Sequence, residues 1–132
     1  MNLPLPYVYD TGVLLAVERD DRRMLSIHRL AIDDLRQLVV PTVVVAQVWR
    51  DGRRQAKLAR FLETCEIRGV GIEVAKAAGV ICGKAGTRDA VDAIVATMAL
   101  VLGATVFTSD PDDIKRLGAA SGGRRGLVVR RV

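Results

Sequence analysis

The residues best suited to chemistry in this 132-residue chain are carboxylates at three places. Asp10 follows the apolar run Tyr7-Val8-Tyr9, Asp110 follows Val106-Phe107-Thr108-Ser109, and Asp89 and Asp92 stand three apart at the head of a long apolar stretch. That spacing puts Asp89 and Asp92 on neighbouring parts of one helix face, and Ala93-Ile94-Val95-Ala96 offers nothing polar to neutralise them. Carboxylates gathered together repel and do not all ionise unless a cation is present. Hard oxygen donors without thiolate or imidazole suit Mg²⁺ or Mn²⁺. Two such ions would activate water and stabilise the leaving oxygen of an in-line phosphodiester displacement. Each acid also has a structural role open to it. Asp110 before Pro111 reads as a helix N-cap, Asp89 as another, and Asp112 and Asp113 suit a helix dipole. The functional case therefore rests on the set.

Other chemistries lack their residues. The chain has one histidine, His28, in a charged, helix-like stretch where a surface or partly packed role is expected. Two-histidine nucleases and histidine-rich metal sites are excluded by number. Cys65 and Cys82 form no C-x-x-C and have no neighbouring histidine, so they read as small buried apolar residues in a reducing compartment rather than as zinc ligands or a disulfide. No apolar run approaches the roughly 20 residues of a membrane span, and no basic leader precedes Asp10. A soluble, cytoplasmic protein with no membrane partner is expected.

To converge, the acids must be carried to one edge of a common scaffold. Tyr7-Val8-Tyr9 reads as a strand feeding a helix over Val13 to Glu18. Met24, Ile27, Leu30, Ala31, Leu35 and Leu38 recur at helical spacing as a second, amphipathic helix. Val39-Val40-Pro41 ends a buried strand, and one or two helices follow from Thr42, broken at Asp51-Gly52. A weak strand over Ile67 to Ile72 and a short helix over Val74 to Gly83 precede a buried helix from Arg88 to Gly103. Ala104 to Thr108 is a strand, Ser109-Asp110-Pro111 starts a helix, and Gly126 to Val129 is a last strand. This alternation predicts one α/β domain over residues 1–132 with a mostly parallel sheet. Ligands of such sheets bind outside the carboxyl ends of the strands, where Asp10 and Asp110 fall.

The charge supplies the complementary half. The net charge is +5 and sixteen of the twenty basic residues are arginine, whose planar fork suits phosphate. Arg50, Arg53, Arg54, Lys57 and Arg60 would share an arc of roughly 120° on one continuous helix. They are candidate RNA contacts, or contacts to an acidic partner. Arg124, Arg125, Arg130 and Arg131 form a second such cluster. With five aromatic residues, base stacking is not the expected mode, so backbone and shape recognition would dominate.

Taken in order, four blocks resemble the PIN-domain ribonucleases, specifically the VapC-type toxins of bacterial toxin–antitoxin pairs. They are Val8-Tyr9-Asp10-Thr11-Gly12-Val13-Leu14; Val40-Pro41 with Val45-Ala46-Gln47-Val48-Trp49-Arg50; Asp89-Ala90-Val91-Asp92-Ala93; and Val106-Phe107-Thr108-Ser109-Asp110-Pro111-Asp112-Asp113. The resemblance implies a three-layer α/β/α fold, a Mg²⁺- or Mn²⁺-dependent endoribonuclease, a homodimer and a cognate antitoxin that blocks the site. It makes Asp10, Asp92 and Asp110 catalytic metal ligands, with Asp89 and Asp113 as further candidates. Thr11 and Ser109 become hydroxyls that orient water or phosphate. The departure is Gln47, where the family commonly has Glu: a carboxamide offers an oxygen but no negative charge. Either Glu18 compensates in part, or the chain is a weakly active or inactive PIN-like module that binds RNA or protein. Asp10-Thr11-Gly12 is also the aspartic-protease triplet, but that nearly all-β fold has no place for the helices here. A dinucleotide-binding fold would need a Gly-x-Gly-x-x-Gly turn that is missing.

Overall fold

The computed structural model describes residues 3–123 and 126–132. Among them, five strands alternate with seven helices: β1 (Tyr7–Tyr9), α1 (Thr11–Glu18), α2 (Arg22–Asp33), β2 (Leu38–Pro41), α3 (Thr42–Val48), a 3-10 turn (Gly52–Arg54), α4 (Ala56–Glu63), β3 (Glu66–Arg68), α5 (Ile72–Ala85), α6 (Ala90–Leu102), β4 (Thr105–Thr108), α7 (Pro111–Ala120) and β5 (Val128–Arg131). The strands form one sheet in the order β3-β2-β1-β4-β5, and all four pairings are parallel. Helices α1 to α4 pack as one group and α5 to α7 as another, giving the three-layer α/β/α architecture.

Strand order places the site. The chain steps outward from β1 through β2 to β3, then crosses to the other side of β1 for β4 and β5. Between β1 and β4 the winding reverses, and a crevice opens there outside the carboxyl ends of the strands. Asp10 and Asp110 leave the sheet at those ends. Val8, Tyr9, Val39, Val40, Val106 and Phe107 are essentially fully buried, as expected of parallel strands covered on both faces. Helix α6 lies between α5 and α7, and its alanines Ala93 and Ala96 pack with Ala78, Ile81 and Leu117. Gly86 and Gly103 close α5 and α6 at φ 70° and 64°, a left-handed cap that a Cβ disfavours.

Several sequence expectations shift. Helix α2 ends at Asp33 rather than reaching Leu38, because Leu35 takes φ 58° in the following turn and Leu38 begins β2. Leu35 is 85% exposed, so its helical spacing was incidental; the helix buries Met24, His28 and Ala31. His28 is a core residue, not a surface one. The Thr64 hydroxyl donates to the Phe61 carbonyl at 2.6 Å, so it accepts from Nε2–H of His28 at 2.7 Å, while Nδ1 accepts from the Tyr9 hydroxyl at 2.8 Å. Burial lowers its pKa to about 4 and keeps the ring neutral. The β3 strand is confined to Glu66–Arg68, α5 is longer than expected, and the last strand runs over Val128–Arg131 rather than Gly126 to Val129. The basic arc is divided: Arg53 and Arg54 sit in the 3-10 turn, and Lys57 and Arg60 in α4. Cys65 and Cys82 are free and only half-buried. Arg124 and Arg125 lie outside the described residues.

Candidate functional site

The buried carboxylate of Asp10 anchors the site. Its backbone N–H continues the β1–β4 ladder to the Phe107 carbonyl at 2.9 Å, and its side chain caps α1 by accepting the Thr11 N–H at 2.7 Å. The other carboxylate oxygen accepts the Thr108 hydroxyl at 2.7 Å, and that hydroxyl in turn accepts the Asp110 N–H at 3.0 Å. One buried threonine at the end of β4 therefore fixes both acids. Gly12 allows this approach: a Cβ there would lie 2.8 Å from Ser109 Oγ and 2.9 Å from Ser109 N. Neither Thr108 nor Gly12 was singled out from the sequence. The available signals were a hydroxyl two residues before Asp110 and the small residue after Asp10-Thr11.

Asp89 performs the capping role expected of it, accepting the Asp92 N–H at 3.0 Å. Asp110 does not: it stands at the N-cap position of α7, but its side chain makes no capping bond. Asp92, in the first turn of α6, is half-buried. Burial raises its pKa to about 7, with the charges of Asp10 and Asp89, a hydrogen bond to Asp89 and the charge of Asp110 adding to the shift. Asp10 is also raised, chiefly by burial, against the lowering effect of its bonds from Thr108 and Thr11. Four of the predicted acids thus feel one another at the switch point. Asp113 borders two adjoining clefts. One, of about 170 Å³, also holds Asp89, Asp92, Thr87 and Arg116; the other, of about 200 Å³, holds Ser109, Asp110, Asp112 and Arg131.

The remaining candidates lie on the other flank of Asp10. The Thr11 hydroxyl donates to Gln47 Oε1 at 2.5 Å, so these two residues hold each other at the rim. Glu18 does not join the carboxylate group. It accepts a bond from Gln55 Nε2 at 3.1 Å and faces a groove of about 550 Å³ shared with Gln47, Arg50 and Arg54. Gln55, missed in the sequence, is the pin of that groove: its oxygen accepts the Arg50 and Asp51 N–H groups and its amide also donates to the Val48 carbonyl. Arg53 pairs with Asp51 at 3.5 Å and Lys57 with Asp20. Among the described residues Trp49 is the one exposed aromatic; Tyr9, Phe61 and Phe107 lie in the core, and the partly buried Tyr7 packs on Phe107.

An all-oxygen donor set of Asp10, Asp92 and Asp110 fits a hard divalent cation in kind. Among the described residues, no three acidic, cysteine or histidine side chains stand close enough to form a closed cage. A cation would therefore have to draw the carboxylates inward.

Comparison with known proteins places this geometry in context. A model of the PIN domain matches residues 7–120. No curated protein sequence matches the chain. Among solved structures, the crystal structure of VapBC2 from Rickettsia felis bound to a DNA fragment from their promoter aligns with TM-score 0.75 and 17% identity, over 97% of this chain and 99% of that one. PAE2754 from Pyrobaculum aerophilum aligns with TM-score 0.57 and 15% identity, over 95% and 90% of the two chains. At these identities the likeness is one of fold.

Proposed function

The chain belongs to the PIN domain family, and from that premise we propose that it is a divalent-metal-dependent endoribonuclease, the toxin of a toxin–antitoxin pair. The observation that carries this reading is the gathering of Asp10, Asp89, Asp92 and Asp110 about the switch point, where burial and then the charges of the other three raise the pKa of Asp92 to about 7. PIN domains are generally metal-dependent nucleases, and a carboxylate group of this kind is relieved by a cation.

In this reading Asp10, Asp92 and Asp110 hold Mg²⁺ or Mn²⁺, with Asp89 and Asp113 at the margin. When bound, the ion supplies an activated water and neutralises charge on the phosphate. The chain's own residues do the positioning. Thr108 keeps Asp10 and Asp110 in register, Gly12 lets α1 approach the Ser109 turn, and Asp89 fixes the first turn of α6 beneath Asp92. Arg50 and Arg54 in the large groove, with Arg53 and Lys57 beside it, meet the RNA backbone. The likeness to VapBC2 from Rickettsia felis supports a cognate antitoxin for this chain, and the family resemblance a homodimer.

A second reading keeps the fold and the RNA but not the cut, because Gln47 brings an uncharged oxygen that Thr11 already occupies. Cleavage of labelled RNA by purified protein with Mg²⁺, Mn²⁺ or EDTA, beside Asp92→Asn, decides between them. Discrete, metal-dependent products lost in the variant are expected. Intact RNA that is still bound in every lane would refute the nuclease and leave a binding module.

A further inference from the structure

Arg131 is drawn into the site by the sheet. It is the register partner of Thr108 across β4 and β5, and laterally paired residues of neighbouring strands direct their side chains to the same face. Thr108 is the residue whose hydroxyl holds Asp10. The backbone at Arg131 is fixed on both sides: its carbonyl accepts from Arg23 Nη1 at 3.3 Å, and the Val132 N–H donates to the Thr108 carbonyl at 2.9 Å. The side chain turns over the end of β4 and donates from Nη1 to the Ser109 carbonyl at 3.2 Å, one residue from Asp110.

The placement is unusual for its charge. The cleft that Arg131 lines contains Asp110, Asp112 and Asp113, yet among the described residues the guanidinium pairs with none of them; Asp113 is matched with Arg116 at 3.9 Å. A guanidinium has five N–H donors. Committing one to a backbone carbonyl holds the planar group still and leaves the others for an anion. Acid-lined clefts repel a polyanion, so a fixed cation at the lip lowers the cost of approach. We propose that Arg131 is a phosphate-positioning residue, its guanidinium binding a non-bridging oxygen of the RNA phosphodiester beside Asp110. This rests on the nuclease reading above and adds a residue to it.

The test compares Arg131→Gln and Arg131→Lys with the parent, and uses Arg29→Gln on α2 as a control of equal charge change. Three quantities are read: KM and kcat on a labelled RNA with Mn²⁺, the dissociation constant of the same RNA in EDTA by fluorescence anisotropy, and Mn²⁺ affinity without RNA by calorimetry. Arg131→Gln should raise both KM and the RNA dissociation constant about tenfold without weakening Mn²⁺ binding. Arg131→Lys, which keeps the charge without the fork, should fall between it and the parent, and Arg29→Gln should match the parent. RNA constants within twofold of the parent in Arg131→Gln overturn the proposal, as does an equal loss in Arg29→Gln. If Arg131→Gln does not fold, parent-like values in Arg131→Lys overturn it. Cleavage that survives in Arg131→Gln leaves the nuclease reading standing. A parent that neither cuts nor binds RNA removes both.

Discussion

Replacing Asp92 with asparagine should stabilise the metal-free protein and, on the nuclease reading, abolish RNA cleavage. Asp92 has a pKa near 7 in the folded chain against an ordinary 3.8. Between those values the unfolded chain has released a proton that the folded chain keeps. Ionising Asp92 therefore opposes folding progressively above pH 4, with the full penalty reached above pH 7. A shift of this size corresponds to about 4 kcal/mol at most, and solvent at the cleft mouth halves it to about 2 kcal/mol. Asparagine carries no charge at any pH. In EDTA at pH 8 the Asp92→Asn protein should thus melt roughly 6–10 °C above the parent, and at pH 4 the two should coincide. His28 contributes in the opposite direction: with a pKa lowered to about 4, it takes up a proton more readily when unfolded, so both proteins lose stability as pH falls from 6.5 to 4, and the term cancels in their difference. Excess Mn²⁺ should reverse the order, because the ion stabilises only the protein that binds it. Thermal melts and urea titrations at pH 4, 6 and 8, with Mn²⁺ or EDTA, measure all of this. An asparagine variant no more stable than the parent at pH 8, or a difference independent of pH, would refute the burial and crowding of charge at Asp92.

Two further substitutions probe the flanks of the site. Gln47→Glu adds a charge where Thr11 already supplies a hydroxyl donor, and should tighten Mn²⁺ binding several-fold by calorimetry; an unchanged affinity would remove residue 47 from the metal's surroundings. Gly12→Ala places a Cβ 2.9 Å from the Ser109 backbone nitrogen, so α1 and the Ser109 turn must separate. It should lower stability by about 1–3 kcal/mol and reduce RNA cleavage as well, and a variant with the parent's melting temperature would show that the approach is not as close as drawn.

What the sequence disclosed was local. Asp10 and Asp110 each follow an apolar run directly, and Asp89 and Asp92 share one helix turn, so strand-then-acid and i, i+3 spacing were enough to bring out all four. A mostly parallel sheet was legible from the same alternation, and all four pairings are parallel. What stayed hidden depends on pairing across the chain. Thr108 reaches Asp10 over 98 residues, and His28 finds its two partners 19 and 36 residues away. No periodicity reports such pairs. The basic arc changed for a different reason: Gly52, lying against Trp49, and the Asp51 cap to Arg53 favour a 3-10 turn over a continuous helix, yet Arg53, Arg54, Lys57 and Arg60 still line one cleft, with Arg50 in the groove beside it.

The four acids do not share the work evenly, and their hydrogen bonds show how it is divided. Both oxygens of Asp10 already hold donors from the fold, one from the α1 N-terminus and one from Thr108, so its position is set before any cation arrives. Its negative charge is partly compensated by those donors, although burial still raises its pKa. Asp92 has no such compensation. Its bond is to another acid, Asp89, and every charge near enough to shift it is negative. On the nuclease reading, a cation would gain most from Asp92, whose charge burial and its neighbours oppose, and Asp10, already fixed by two donors, would orient it while Asp92 and Asp110 were drawn inward. Gln47, uncharged where the family commonly has Glu, is bonded to Thr11, next to Asp10 in the chain. On the nuclease reading it would weaken the attraction for an ion without removing the crowding of charge about Asp92.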